Sequence, residues 1–217
     1  SLVGSEMCIR DSIWRMGASD LAGFLNIFMP LLMVAVTVVL YFWRGWTERT
    51  ALQSAMKNLS GNEYSVLEHP GIRTPEGIMT VDYAVVSVYG IFLVVTSDFK
   101  GRVTGSEDAS EWTLSNRRGA QAVENPLMRV DAFARALHRA LPNYRFARPV
   151  AIVAYPARDI LNVRSTQHVT YLSKVMDIIG SYNVQTISFS QASGMAAALR
   201  YADVNNGADD AVLSDMM

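Results

Sequence analysis

Asp82 is the residue whose surroundings most demand a chemical explanation. It lies in Val81–Gly105, VDYAVVSVYGIFLVVTSDFKGRVTG, where two apolar, β-branched runs meet at Tyr89-Gly90. A carboxylate inside such a strand is costly to bury unless a cation or a metal pairs with it. Asp98 and Lys100 follow the second run with one residue between them. On their own these two read as solvated turn residues. His69, His138 and His168 show no metal-ligand spacing, and Cys8 is the only cysteine. No disulfide framework or cysteine-based zinc site can form within one chain, which suits a reducing compartment.

The elements around these residues follow from periodicity. Leu52, Met56 and Leu59 share one face of a helix over Thr47–Leu59, closed by Ser60-Gly61-Asn62. Tyr64–His69 reads as a strand, and His69-Pro70-Gly71 and Thr74-Pro75-Glu76-Gly77 as turns. Strands are expected at Met79–Ser87 and Ile91–Thr96, with short ones at Gly101–Thr104 and Glu111–Leu114. Together they would make one antiparallel meander over Tyr64–Leu114. Asn125-Pro126 opens a helix carrying Val130, Phe133, Ala134, Leu137 and Leu141 at i, i+3, i+4 spacing. Pro149–Tyr155 is a continuous apolar run, as a buried strand requires. Val169–Leu172 reads as a short strand. Leu172–Ile179 fits a helix closed by Gly180, and Ser190 caps a last helix over Gln191–Tyr201. From Asp203 the chain turns acidic and reads as a frayed tail.

The strand pair also carries a family likeness. Ser87-Val88-Tyr89-Gly90-Ile91-Phe92 resembles the "S-x-x-G-I-F" link of the nuclease-related domain, NERD, a branch of the PD-(D/E)XK nuclease-like fold. Asp98-Phe99-Lys100-Gly101 through Gly105 resembles the family's "N-Y-x-G-x-x-x-G" turn. Trp112 stands near the family's tryptophan, and Asn125-Pro126-Leu127 resembles its "N-P-x-x-Q" motif, with Arg129 at the Gln position. The likeness covers about Thr47–Leu141. It implies an α/β core, a central mixed sheet flanked by helices. An Asp on the first strand and Glu-x-Lys on the second would hold Mg²⁺ and activate water for phosphodiester hydrolysis. Asp82 matches the Asp. Val95 and Ser97 stand where the family has Glu and Lys. Glu48 lies near the family's "G-x-x-G-E" position, without the glycines.

Two readings follow. In the first, the pair is lost, no cofactor is bound, and the domain is a pseudoenzyme that binds or scaffolds. In the second, Asp98 and Lys100 restore the D-x-K spelling three residues downstream, and Asp82, Asp98 and Lys100 form a divergent Mg²⁺-dependent DNA nuclease with Asp82 as a metal ligand. In a regular strand Asp98 faces away from the Val95 position, so the second reading needs a bulge. Asp82 is either a relic ligand or a structural group. Between Lys100 and Arg148 lie nine basic residues, against six acids counted from Asp98. That balance suits a mixed surface, an anionic leaflet or a phosphate backbone. The net charge of −1 gives no global nucleic-acid signature.

At 217 residues and 50% hydrophobic, the chain suits one domain plus an appendage. Ser1–Ser12 resemble the translation of a sequencing adapter, so 1–15 is expected to be an artefact or a disordered leader. The natural start would then be Met16. Leu21–Trp43 has no charge over 23 residues, which as a helix spans roughly 34 Å, enough for a bilayer core. Tyr41, Phe42, Trp43 and Trp46 form an aromatic belt followed by Arg44 and Arg49. The run is too long and lacks the flanks of a cleaved signal peptide. Residues 16–46 are therefore expected to be a transmembrane anchor, 47–202 the NERD-like α/β domain, and 203–217 an acidic disordered tail. The positive-inside rule puts the C-terminal domain at the cytoplasmic face of the inner membrane, in a single-pass protein. The expected partners are the lipid membrane and either nucleic acid or a protein, with no small-molecule cofactor.

Overall fold

The computed structural model describes residues 28–40, 48–61, 63–97, 99, 101–144, 147–157 and 159–205. The chain divides into two compact units, Ser1–Thr47 and Glu48–Met217. In the first, 28–40 is a helix whose side chains are all exposed, among them Leu31, Leu32, Met33 and Val34. Its one hydroxyl, on Thr37, donates to the Met33 carbonyl at 2.6 Å and so needs no outside partner. No helix among the described residues is long and apolar enough to cross a membrane. The rest of the expected span, and the leader before it, lie outside the described residues.

The second unit is built on a mixed sheet of five strands: β1 (Tyr64–Glu68), β4 (Tyr83–Ser87), β5 (Gly90–Thr96), β9 (Pro149–Tyr155) and β11 (His168–Tyr171). They lie side by side in the order β1-β4-β5-β9-β11. β4 runs antiparallel to both β1 and β5, whereas β5, β9 and β11 are parallel. Alternation along β5 explains the two cores. Ile91, Leu93 and Val95 turn to one side, where they pack with α2 (Pro126–Ala140) and α4 (Phe189–Ala202). Phe92 and Val94 turn to the other, with α1 (48–59) and α3 (Val175–Ser181). A sheet covered on both faces needs strands apolar at every position, and β4 and most of β5 are buried throughout.

The expected single meander is divided in three. β2 (Gly71–Thr74) and β3 (Gly77–Thr80) form a separate hairpin. β6 (Arg102–Ser106), β7 (Glu111–Asn116) and β8 (Gly119–Glu124) join β10 (Ile160–Arg164) in a second sheet, ordered β10-β6-β7-β8. The expected strand Met79–Ser87 is broken at Val81-Asp82, so Asp82 sits at a strand junction rather than inside a strand. The helix ends differ slightly as well. Ser188, not Ser190, caps α4, reciprocated by the Gln191 side chain. α3 runs through Gly180 to Ser181. The tail does not fray at once: the Asp203 carboxylate accepts from Gly71 N at 2.8 Å, Val204 N donates to the Gly71 carbonyl, and Asn205 Nδ2 donates to the His69 carbonyl at 2.8 Å.

Candidate functional site

The C-terminal ends of β5 and β9 and the start of β4 meet at one end of the mixed sheet, where the sequence placed its chemistry. Asp82 keeps both neighbouring ladders intact: its N–H donates to the Val94 carbonyl at 3.1 Å, and its carbonyl accepts from His69 N at 2.8 Å. The side chain leaves the strand pattern. Oδ2 accepts from Thr96 N at 2.5 Å and from Thr96 Oγ1 at 2.9 Å. Oδ1 lies 3.8 Å from His69 Nδ1. His69 adopts a left-handed backbone, φ 50°, uncommon for a residue with a side chain. Asn205 and Asp82 hold it there through its carbonyl and N–H. The structure thus gives Asp82 a structural task. It ties the end of β5 to the β4 junction through Thr96.

Val95 is buried among the side chains under α2 and offers no donor atom. Ser97 N donates to the Ala154 carbonyl at 2.9 Å, and its hydroxyl accepts from Phe99 N at 3.3 Å. Asp98 and Lys100 lie outside the described residues, so the bulge required by the second reading does too.

Two further carboxylates occupy this end of the sheet. Glu48, in the first described turn of α1, accepts from Ala157 N at 3.1 Å through Oε2. Asp159, 3% exposed, accepts from Gly101 N at 3.0 Å through Oδ1. Burial, and after it the charge of Asp159, push the Tyr155 phenol well above its ordinary range. Asp159 carried no signal in the sequence, because a single acid in a short loop looks solvated until the fold closes over it. Each of the three acids is bound to a backbone N–H. Among the described residues, no three His, Cys, Asp or Glu side chains are grouped to hold a metal. Mg²⁺ asks for carboxylate oxygens converging on one point. With Val95 and Ser97 in place, the described donors do not fit it.

The remaining motif residues are architectural. Asn125 is fully buried, caps α2 by accepting from Leu127 N at 2.9 Å, and donates Nδ2 to the carbonyls of Glu107 and Ala109 at 2.9 and 2.7 Å. Pro126 fills the first helical position, where no N–H is needed. The Trp112 indole donates to the Ser106 carbonyl at 2.9 Å. Gly101 takes φ +152°, and a Cβ there would strike the Ser115 carbonyl. A Cβ on Gly105 would enter the Trp112 ring. Arg129 reaches β3, donating to the carbonyl and hydroxyl of Thr80, both at 3.1 Å.

A mixed sheet flanked by helices fits a nuclease-like α/β fold. The family model of the nuclease-related domain matches residues 44–156, more than half of the chain, and the chain belongs to that family. It is also similar to the uncharacterized protein pXO1-01 of Bacillus anthracis, 26% identical over an alignment of 149 residues that covers 64% of this chain and 68% of that protein. No solved structure matches it.

Proposed function

We propose that this chain is a membrane-tethered binding module on a nuclease scaffold, without hydrolytic activity. The observation that carries the reading is the state of the β4–β5 end: Val95 is buried in the core, and the Asp82 carboxylate is engaged by Thr96. Phosphodiester hydrolysis needs fixed charge aimed at the reacting phosphate, and loss of such stabilisation costs ~10²–10³ or more in rate. The tether is the uncharged run Leu21–Trp43. Its described part, 28–40, is an apolar helix whose side chains are exposed. Arg44 and Arg49 after that run put the domain on the cytoplasmic side. There a phosphate backbone or a protein is held rather than cut. Two measurements test the reading. Carbonate extraction should leave the chain in the membrane fraction. Labelled duplex DNA incubated with the full-length chain should stay intact whether or not Mg²⁺ is present. Release by carbonate removes the tether, and cleavage removes the non-catalytic claim.

A further inference from the structure

The second sheet ends on β8, and no described strand pairs with its outer side. Gly119–Ala122 are exposed, and β8 carries no charge or proline before Glu124. Proteins ordinarily guard such an edge with lysine, proline, a bulge or a covering element. Here the charges stand at its two ends instead: Arg117 and Arg118 in the two-residue turn before β8, and Glu124 as its last residue. Neither Arg118 nor Glu124 forms an ion pair among the described residues.

The hairpin register fixes which backbone groups point outward. Asn116 pairs with Gly119 across the turn, then Leu114 with Gln121 and Trp112 with Val123. In a two-residue hairpin the pair flanking the turn is hydrogen-bonded, and such pairs alternate along the ladder. Gly119, Gln121 and Val123 therefore spend their backbone groups on β7. Ala120, Ala122 and Glu124 turn theirs to the open edge.

We propose that β8 pairs antiparallel with β8 of a second copy of this chain, joining two four-stranded sheets across a two-fold axis at Gln121. Parity demands that outward residues face outward residues. In the register with Gln121 opposite itself, Ala120 faces Ala122, and Arg118 of each copy faces Glu124 of the other. A shift of two residues keeps the parity and loses the charge match: Ala122 then meets itself, and Arg118 falls opposite Pro126. Opposite charges directly across an antiparallel pair stabilise it, and like charges destabilise it. The alanines leave the approaching backbones unobstructed, and about four main-chain hydrogen bonds form across Ala120 and Ala122. The pairing is independent of whether the domain cleaves DNA.

The test uses the full chain in mild detergent with Cys8→Ser throughout. Gln121 on the axis forms a non-hydrogen-bonded pair with itself, Cα atoms about 4.5 Å apart, within disulfide reach. Gln121→Cys should give a disulfide-linked dimer under mild oxidation. Ala120→Cys, roughly 8 Å from its own copy in this register, should not. Arg118→Glu and Glu124→Arg should each raise the dimer dissociation constant about tenfold by light scattering or sedimentation. The double reversal should restore it. A monomeric parent chain or dimerisation indifferent to both reversals would overturn the proposal. So would crosslinking of the Ala120→Cys chain without crosslinking of the Gln121→Cys chain. The charge-swap rescue separates this interface from any association through the N-terminal helix.

Discussion

If Asp82 is structural, removing it should weaken the domain. Its side chain is 19% exposed and accepts two hydrogen bonds from Thr96, one from the backbone at 2.5 Å and one from the hydroxyl at 2.9 Å. Hydrogen bonds to a charged group contribute about 1.5–3 kcal/mol each, less where water reaches them. Asp82→Ala removes both and leaves the Thr96 N–H without its acceptor, so a loss of about 2–4 kcal/mol is expected. Asp82→Asn retains one carbonyl oxygen and should lose about 1 kcal/mol. Thr96→Val removes only the hydroxyl bond and should also lose about 1 kcal/mol. Because the two side chains share that bond, the Asp82→Ala/Thr96→Val pair should be non-additive by about 1 kcal/mol. Urea unfolding of segment 48–217, a compact unit in its own right, would measure these losses at constant m. Acids retained for chemistry often behave in the opposite way, and their removal stabilises the fold. An Asp82→Ala domain within about 0.5 kcal/mol of the parent, or more stable than it, would refute the structural reading and return Asp82 to the candidate ligands.

Gly105→Ala should push the Trp112 ring out of its place, cost about 1–3 kcal/mol in a urea melt and change the tryptophan emission. Asn125→Ala removes a helix cap and two bonds to the β6–β7 turn and should cost at least about 2 kcal/mol, with faster amide exchange at Leu127. Glu107 has its carboxyl held below the usual range, chiefly by the Thr166 hydroxyl and then by the Thr166 N–H. That clasp is complete above the ordinary glutamate range and is lost as pH falls through the lowered folded value. The protection factor of the Thr166 amide, its exchange rate relative to the intrinsic rate at the same pH, should therefore fall below about pH 4.5 in the parent and be unchanged by acid in Glu107→Gln. Tyr155 has its phenol raised by burial and by Asp159, so its stabilisation is full below pH 10, the ordinary tyrosine value, and declines as pH rises above it. Absorbance titration should show Tyr155 ionising only when the domain unfolds.

The parts of this fold that were legible in the sequence are those where a side chain and its local structure make the same demand. The β-branched runs around Tyr89-Gly90 became β4 and β5, and Asn125-Pro126 opened α2 with the expected cap and proline. β8 was invisible, because Gly119-Ala120-Gln121-Ala122 has little strand propensity and is extended through its pairing with β7. The division into two sheets could not be read, since apolar alternation is the same whichever sheet a strand joins. Asp82 stands out as anomalous in the sequence, but its partner does not. Thr96 lies 14 residues away, and only the junction at Val81-Asp82 lets the carboxylate reach it. Asp203 shows the same limit: acidic and near the end of the sequence, it nonetheless holds Gly71 from 132 residues away.

Whether the β4–β5 end has kept its fold and lost its chemistry is decided by cleavage of supercoiled plasmid under single-turnover conditions. The full-length chain is assayed with Mg²⁺ or Mn²⁺, with Asp82→Ala and Asp98→Ala as controls. No nicking by the parent above the no-protein background is expected, and no difference among the three proteins. Metal-dependent nicking that vanishes in Asp82→Ala would show that the chemistry is still there. Loss in Asp98→Ala as well would establish Asp82 and Asp98 as the carboxylates of a working site, as the second reading requires.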